Sequence, residues 1–231
     1  MRKIKRLCQN LQAQSMTKSV ISKLIIIGAG GHGRVVADCA LATGEYQEIV
    51  FLDDCYPQRK DNALWTIVGK VKEFTKYLDD DVFIVAFGNN QLRQTIHSQL
   101  KSANARVVSI THPSAVICPH TKIALGVVVC ANATINIGAN IDEGCIINTG
   151  STIEHDCNIA EFVHISPNAA IAGGVSIGKL SWLGINSTVI ECLTLAPNTQ
   201  AGAGSVIISN TTANSLYVGV PAKCIKNIEL G

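Results

Sequence analysis

Two histidines in the second half of the sequence have neighbours suited to proton transfer. His155 lies between Glu154 and Asp156, and no other histidine of the chain is flanked by two carboxylates. An adjacent carboxylate can orient an imidazole and raise its basicity, as a general base requires. His164 follows nine residues later. The competing interpretation for each residue is an ordinary surface histidine without a chemical role.

A glycine-rich segment near the N-terminus has the spacing of a phosphate-binding loop. GAGGHG at 28–33 matches G-x-G-x-x-G between a predicted strand and a predicted helix. Backbone N–H groups at the helix start would hold a pyrophosphate, while Asp53 or Asp54 would bind sugar or base hydroxyls. Only about ninety residues precede the repeats described below, too few to add a nicotinamide half. We therefore expect a nucleotide-linked ligand such as a UDP-sugar rather than NAD; a tight turn without a ligand is the other interpretation.

The residues around this loop alternate between apolar runs and amphipathic segments. Strands are predicted at 23–28, 49–53, 82–87 and 106–110, and helices at 34–42, 71–78 and 91–102. This alternation predicts a Rossmann-like α/β domain over 21–112, with ligands beyond the carboxyl ends of its parallel strands. The segment THPS at 111–114, with its proline, is the predicted domain boundary.

The second half of the chain has a six-residue period. Aliphatic residues occupy every sixth position from Ile117 to Ile207, which fits neither the period of an α-helix nor that of a strand. Six-residue repeats indicate a parallel β-helix with three short strands in each coil of about eighteen residues. The positions two residues before the aliphatic ones are nearly all small, as a filled interior requires. A two-sheet sandwich is the alternative, but sandwich strands do not keep a fixed count of six.

Composition argues against several classes of function. The chain has 231 residues and a formal net charge of +2 without a long basic run, so nucleic acid is not an expected partner. Nine cysteines without a C-x-x-C pair indicate reduced thiols in a cytoplasmic protein, not a disulfide or metal framework. No apolar run is long enough for a signal peptide or a membrane span. Residues 1–20 are predicted to be a disordered arm, and Met16 is an alternative start.

These motifs resemble a known family over residues 24–226. The chain is similar to bacterial sugar acyltransferases in which a Rossmann-like domain precedes a left-handed parallel β-helix of hexapeptide repeats, here 113–231. It looks closest to the UDP-4-amino-sugar N-acetyltransferases of diacetylbacillosamine-type pathways, with sialic acid O-acetyltransferases as relatives. The matching segments are GAGGHG at 28–33, FLDD at 51–54, FGNN at 87–90, INTGSTIEHDCNI at 147–159, FVHISPNAAIAGGV at 162–175, WLGINS at 182–187, AGAGSVI at 201–207 and VGVPAK at 218–223. Left-handedness follows from this resemblance alone, because the usual crossover is right-handed.

The resemblance implies roles for individual residues. His155 would be the general base, and Asp156, where some relatives have Glu, would sharpen its basicity. The N–H of Gly173, one coil later, would stabilise the oxyanion, and Asn148 would be a further polar residue of the site. The acetyl-CoA groove between adjacent subunits would be lined by His164, Gly184, Ile185 and Ala203. The UDP-sugar would contact Gly30, Gly31, His32, Asp53, Asp54 and Gly88.

The sequence therefore predicts a cytoplasmic, acetyl-CoA-dependent acetyltransferase that acts on the amine of a UDP-linked amino sugar for bacterial surface glycans. A homotrimer with sites between subunits and without a metal is expected. O-acetylation of a sialic-acid-like sugar is the alternative on the same scaffold. A zinc hydratase such as a gamma-type carbonic anhydrase needs three histidine ligands, and only His155 and His164 lie on the predicted outward faces. A non-catalytic nucleotide-sugar-binding protein would leave the EHD motif at 154–156 without a use.

Overall fold

The computed structural model describes residues 21–228 and shows an α/β part followed by a three-sided coil of short strands. The arm predicted at 1–20 lies outside the described residues. The strands of the α/β part are Ile21–Ile27, Tyr46–Leu52, Asp61–Asn62, Trp65–Gly69, Val82–Val85 and Arg106–Val107. Its helices are α1, Gly31–Thr43, the 3₁₀ helix Val71–Tyr77, and α2, Asn90–Ser102.

Two predicted elements of this part differ from the structure in detail. The segment predicted as a helix at 71–78 is a 3₁₀ helix, a common form for short connectors. The strand predicted at 106–110 is two strands, because its ends pair with different partners. Arg106–Val107 pairs with Val82–Val85 of the α/β sheet, whereas Ile110–Thr111 pairs with Val128–Val129 of the coil.

The strand Ile21–Ile27 lies at the centre of the α/β sheet. It pairs in parallel with Tyr46–Leu52 on one side and with Val82–Val85 on the other. Where successive strands leave a central strand in opposite directions, a crevice opens at the carboxyl ends. The glycine loop at 28–33 follows the central strand, and the turn Phe87–Gly88 follows Val82–Val85. The topology thus places these two loops on either side of one crevice.

The coil consists of three parallel sheets, each forming one face of a prism. The first sheet contains Ile110–Thr111, Val128–Val129, Ile146–Ile147, His164–Ile165, Trp182–Leu183, Thr199–Ala201, Ser215–Gly219 and the antiparallel Ala222–Asn227. The second contains Val116–Ile117, Thr134–Ile135, Thr152–Ile153, Ala170–Ile171, Thr188–Val189 and Val206–Ile207. The third contains Lys122–Ile123, Asn140–Ile141, Asn158–Ile159, Ser176–Ile177 and Thr194–Leu195.

The six-residue period is the physical basis of this coil. Paired residues such as Asn140 and Asn158 are eighteen positions apart, so the aliphatic positions stack on one another inside the prism. From Val129 to Ile207 these aliphatic residues are at most 5% exposed, and each fully buried one contributes about 1.5–3 kcal/mol. The predicted left-handed parallel β-helix is confirmed.

The α/β part packs against the early coils of the first sheet. Val36 and Cys39 of α1 share one buried cluster with Val128 and Cys130. The later coils of the same sheet continue past this contact, and their outward residues lie beside the turn that follows Val82–Val85. Within residues 21–228 no helix is long and apolar enough to cross a membrane.

Candidate functional site

The glycine loop at 28–33 joins the central strand to α1. Gly28 has a φ of 105°, and a Cβ on Gly33 would lie 2.2 Å from the carbonyl oxygen of Gly28, so both positions require glycine. Gly30 and Gly31 form the start of α1, and a Cβ on either would meet nothing within 4 Å. The first N–H groups of α1 therefore border open space, which suits a phosphate.

Asp53 and Asp54 hold the backbone around this loop. Asp53 accepts hydrogen bonds from the N–H groups of Ala29 at 2.6 Å and Cys55 at 2.9 Å, and Asp54 accepts one from Val71 at 3.1 Å. Burial alone would raise the pKa of Asp53, but the hydrogen bonds from Cys55 and Ala29 outweigh it, and the pKa is lowered. Asp53 therefore stays ionised at neutral pH, and a carboxylate with two backbone donors keeps acceptor capacity for a ligand hydroxyl.

Two side chains that the sequence analysis missed fix the glycine loop. Nδ2 of the buried Asn62 donates to the carbonyl groups of Ala29 at 2.9 Å and Gly30 at 3.2 Å, and the Arg59 guanidinium also donates to Ala29. Arg59 lies in the irregular stretch after Tyr46–Leu52 and Asn62 in the two-residue strand Asp61–Asn62, where no period or motif distinguishes them. They hold the loop in shape before a ligand binds, which lowers the ordering cost of binding.

His32 and His164 approach each other where the glycine loop meets the first sheet. Their ring centroids are 6.1 Å apart, and His164 stacks on Trp182 at 5.9 Å with an interplanar angle of 11°. Burial and the nearby Arg93 charge lower the pKa of His164 to about 3 and that of His32 to about 4, so both are neutral at pH 7. Nδ2 of Asn148 lies 3.2 Å from Nε2 of His164, which must accept. The proton of His164 is therefore on Nδ1, and the ring also interacts with the backbone of Gly88.

A groove of about 500 Å³ runs past this histidine along the first sheet. It is lined by Asn148, His164, Ser166, Pro167, Trp182, Gly184, Ile185, Gln200, Ala201, Gly202, Ala203 and Leu216. The four residues predicted for the acyl-donor groove lie in it together, and so does Asn148. A Cβ on Gly184 would lie 2.6 Å from the carbonyl oxygen of Ala201, so the floor of the groove must stay bare there. Its volume is in the range of small-molecule sites.

A second cavity, of about 290 Å³, lies between the first sheet and the turn at 87–88. It is lined by Gly88, Asn89, Asn90, Gln91, His164, Leu180, Trp182, Asn198 and Gln200. His164, Trp182 and Gln200 line both cavities. The cavity beside the turn at 87–88 and the groove of the β-helix therefore meet at these three side chains.

His155 and Asp156 lie at a different edge of the prism, between the second and third sheets. Nδ1 of His155 is 2.9 Å from Oδ2 of Asp156, which leaves Nε2 for another partner. Glu154 is engaged elsewhere, since its Oε2 accepts a hydrogen bond from Nδ2 of Asn136 at 2.8 Å. Of the two flanking carboxylates, Asp156 is thus the one that orients the imidazole. The side chains of His155 and Asp156 are 59% and 74% exposed.

Glycines on the neighbouring coils make room for this pair. A Cβ on Gly173 would lie 2.4 Å from Nε2 of His155, and a Cβ on Gly138 would lie 2.4 Å from Oδ1 of Asp156. The N–H of Gly173 donates no hydrogen bond to any residue between 21 and 228. A donor without a partner beside Nε2 suits an oxygen that gains negative charge. His155 lines neither of the two cavities above, so the pair and the groove lie apart in one chain.

Residues 23–100 of the chain match the PglD N-terminal domain family. The chain is similar to the acetyltransferase domain of PglB from Neisseria gonorrhoeae FA1090 in complex with acetyl coenzyme A, with 36% identity and a TM-score of 0.85. The match covers 88% of this chain and 98% of that one. The chain belongs to the PglD-type family of sugar N-acetyltransferases. The predicted family, enzyme class and fold are confirmed.

Two further acetyltransferases of this kind are similar to the chain. PerB from Caulobacter crescentus, solved in complex with CoA and GDP-perosamine, has 34% identity and a TM-score of 0.82, over 89% of this chain and 98% of that one. UDP-N-acetylbacillosamine N-acetyltransferase of Bacillus subtilis (strain 168) is 31% identical over 110 residues, 47% of this chain. The chain spans about half of that relative, 51% of its length.

Trp182 and Arg93 of this acetyltransferase are site residues that the sequence analysis also missed. The eighteen-residue coil contains the signal for Trp182, because that residue follows His164 by one coil and must stack on it. Arg93 has no such signal, since an arginine on an amphipathic helix usually faces water. The roles predicted for single residues from the resemblance stay predictions.

Proposed function

We propose that this acetyltransferase transfers the acetyl group of acetyl-CoA to the amine of a UDP-linked amino sugar, of the UDP-4-amino-4,6-dideoxy type, for bacterial surface glycan biosynthesis. The observation that carries the proposal is the arrangement at one edge of the β-helix. Asp156 holds Nδ1 of His155, Nε2 faces outward, and the unused N–H of Gly173 lies beside it. These are the parts that amide formation from a thioester needs.

The reaction requires a proton acceptor and a donor to the carbonyl oxygen. The amine attacks as its neutral form and becomes positively charged, so a base must remove a proton. Nε2 of His155 accepts that proton while Asp156 stabilises the imidazolium that results. The N–H of Gly173 donates to the thioester oxygen as it gains negative charge. When the tetrahedral intermediate collapses, its C–S bond breaks, and the CoA thiolate leaves and takes up the proton held on Nε2 of His155. None of these steps needs a covalent acetyl-enzyme, and within residues 21–228 His155 forms no hydrogen bond with a cysteine.

The groove on the first sheet fits the acyl donor. Its lining at Gly184, Ile185 and Ala203 is bare backbone and small or aliphatic side chains, which suits an extended pantetheine arm. Acetyl-CoA supplies the acetyl group there as a thioester. His164 is neutral at pH 7, and its ring interacts with the amide of Asn148 and the backbone of Gly88.

The crevice between the glycine loop and the turn at 87–88 fits the nucleotide sugar. The N–H groups at the start of α1 bind the diphosphate, and Asp53 and Asp54 accept hydrogen bonds from hydroxyls of the nucleoside. His32 extends from α1 toward His164, so the sugar end of the ligand points to the groove. A uridine is proposed, and a guanosine is the alternative that the similarity to PerB raises.

The catalytic pair must reach the groove of another copy of the chain. His155 is at the edge between the second and third sheets, whereas His164 is on the first sheet. Three prisms packed side by side would bring such an edge against a neighbouring face. We propose a homotrimer whose sites each combine His155 of one subunit with the groove of the next. Subunits carrying His155→Ala, mixed with subunits carrying His164→Ala, should recover part of the activity on reassembly.

A substrate panel tests the proposal. The purified protein is incubated with acetyl-CoA and, separately, UDP-linked amino sugars, GDP-linked amino sugars and free sialic acids, and each product is weighed by mass spectrometry. A gain of one acetyl group on a UDP-linked amine, abolished in His155→Ala, is expected. Transfer only to GDP-sugars would correct the nucleotide, and transfer to a sialic acid hydroxyl would replace N- with O-acetylation. Absence of transfer to every sugar would contradict the function.

A further inference from the structure

The helix α2 lies along the edge of the prism between the third and first sheets. Positions 126, 144, 162 and 180 occupy this edge on successive coils, eighteen residues apart. His97 faces the first of them, since a Cβ on Gly126 would lie 2.4 Å from its ring. Arg93 donates to the carbonyl groups of Gly144 at 2.7 Å and Phe162 at 2.8 Å. His97 and Arg93 of α2 together therefore contact the first three coils at this edge.

The start of α2 continues the same series. Nδ2 of Asn90 donates to the carbonyl groups of Leu180 at 2.9 Å and Ser181 at 3.0 Å. Residues 90, 93 and 97 lie on one face of a helix, and its rise of about 1.5 Å per residue separates them by about 4.5 and 6 Å along the axis. Successive coils of a β-helix are about 4.8 Å apart. The three side chains together reach four successive coils, because Arg93 bonds two of them, and these bonds hold the helix in register with the stack.

Arg93 joins this edge to the loop that borders the second cavity. Besides its bonds to the two coils, the guanidinium donates to the carbonyl of Phe87 at 2.9 Å and, more weakly, to that of Gly88 at 3.4 Å. Nη2 also donates to Oδ1 of Asn90 at 2.8 Å. A shift of the turn at 87–88 relative to the coils would therefore break hydrogen bonds of a single rigid group.

The burial of Arg93 makes such a shift costly. The residue is 1% exposed and forms no ion pair with any residue from 21 to 228. Its positive charge is therefore stabilised by hydrogen bonds to backbone carbonyls and one amide oxygen. Burial lowers the pKa of Arg93 to about 10, which leaves it charged at pH 7. A buried charge that loses its acceptors is strongly destabilising, whereas a fully bonded one specifies a single geometry.

We infer that Arg93 is a positioning residue that fixes the turn at 87–88, and with it the bound nucleotide sugar, at a set height above His164 and Trp182. Both of these side chains line the cavity that Gly88 borders. The inference rests on the proposed function for its kinetic part. Its structural part, that one guanidinium sets the turn against the coils, holds for any ligand of the crevice.

Arg93→Lys tests the inference. Lysine keeps the charge but has three donors on one atom, so it cannot bond the turn and both coils together. We expect the KM for the nucleotide sugar to rise about tenfold and kcat to fall about tenfold, while the KM for acetyl-CoA changes less than about twofold. Hydrogen exchange at the amides of residues 87–90 should quicken, while exchange in the coils at 144–165 stays unchanged.

His97→Gln is the matched control. His97 is buried on the same helix and bonds Glu143 of the coil at 2.8 Å, but it does not touch the turn. The variant should lose thermal stability while both KM values and the exchange at 87–90 stay as in the wild type. If Arg93→Lys does not fold, Asn90→Ala replaces it, since this change removes the bonds to Leu180 and Ser181 from the same helix end and should also raise the nucleotide-sugar KM.

The two readouts separate the failure of the inference from that of the function. Equal changes in both KM values, or unchanged exchange at 87–90 in a folded Arg93→Lys protein, would overturn the positioning role. A wild-type protein that acetylates no nucleotide sugar would contradict the proposed function, and hydrogen exchange would still decide whether Arg93 holds the turn.

Discussion

Gly173→Ala would test whether the position of the His155 ring matters for catalysis. A Cβ on Gly173 would lie 2.4 Å from Nε2 of His155, whereas ordinary contact begins at 3.4 Å, so the ring must retreat by 3.4 − 2.4 = 1.0 Å. The ring has room to retreat, because the His155 side chain is 59% exposed. Gly173 is not among the residues with positive φ, so alanine fits its backbone, and the N–H group is retained.

The expected effect follows from this displacement. A misplacement of about 1 Å in a reacting group can cost about 10²-fold in rate. We therefore expect kcat of Gly173→Ala to fall by about 10²-fold, equivalent to about 2.7 kcal/mol of transition-state stabilisation. The KM values for both substrates should change less than about twofold, because neither cavity contains His155. Initial rates of CoA thiol release measure both parameters, with thermal unfolding followed in parallel.

Gly126→Ala is the contrasting variant. Its Cβ would lie 2.4 Å from the ring of His97, which is only 1% exposed and cannot retreat, and Gly126 also has a φ of 73°. This variant should unfold at a clearly lower temperature, whereas Gly173→Ala should keep the wild-type melting temperature. An unchanged kcat in Gly173→Ala would refute the assignment of Nε2 as the reacting atom. A melting temperature as low as that of Gly126→Ala would give Gly173 a purely structural role.

Three further results are expected. His155→Ala should lower kcat by about 10²–10⁴-fold without a change in melting temperature, and Asp156→Asn should lower it less, because the imidazole remains; steady-state rates and circular dichroism check both, and loss of folding would count against a catalytic role. Ile185→Trp should raise the KM for acetyl-CoA about tenfold or more, because the exposed Ile185 side chain lines the groove; an unchanged KM would place the acyl donor elsewhere. His164→Asn should flatten the acid dependence of stability. The pKa of His164 is about 3 in the folded chain against an ordinary 6.5. As the pH falls through this range, the unfolded chain therefore binds the proton first, and the free energy of unfolding decreases. Urea unfolding between about pH 4 and 6 should show a wild-type slope steeper by up to about 1.4 kcal/mol per pH unit, and equal slopes would contradict the neutral buried imidazole.

The β-helix could be predicted from the sequence because each coil repeats the same pattern of inward-facing aliphatic residues. Every sixth residue must fill the prism, so the pattern is visible without knowledge of long-range contacts. Stacking at eighteen residues then follows, and with it the approach of Gly173 to His155. The hand of the coil could not be predicted this way, since a mirror-image coil has the same inward positions.

The contacts between the two halves of the chain could not be predicted in the same way. Arg93 has a sequence environment typical of a solvent-facing helix, yet it is 1% exposed because the edge of the prism supplies carbonyl acceptors in register with α2. Asn62 likewise acquires its role only when the chain brings it back to the glycine loop. Such roles depend on tertiary acceptors that have no sequence period.

The dinucleotide fingerprint predicts the position of Asp53 but only part of its role. The fingerprint places an acid at the end of the second strand as a ligand for hydroxyls. In the structure the same carboxylate also braces the glycine loop through the N–H of Ala29 at 2.6 Å. A change at Asp53 would therefore alter the shape of the loop as well as a contact to ligand. Kinetic effects of Asp53 variants report both, whereas Asp54 bonds outside the loop, at Val71.

The arrangement of His155 and Asp156 is a consequence of the coil. Asp156 sits at a corner with a φ of 58°, a left-handed conformation that aspartate tolerates better than most residues. The coil before it has Gly138 at the equivalent corner, and the coil after His155 has Gly173, so neither neighbour carries a side chain where the pair lies. A bulkier residue at either position would occupy the space of a reacting or orienting atom. In a stack where each residue meets others eighteen positions away, an exposed histidine–carboxylate pair therefore requires small residues on the coils above and below it. Other corner glycines, such as Gly150 opposite Asn168, make the same room in this coil, so Gly138 and Gly173 accommodate the pair while the EHD motif identifies it.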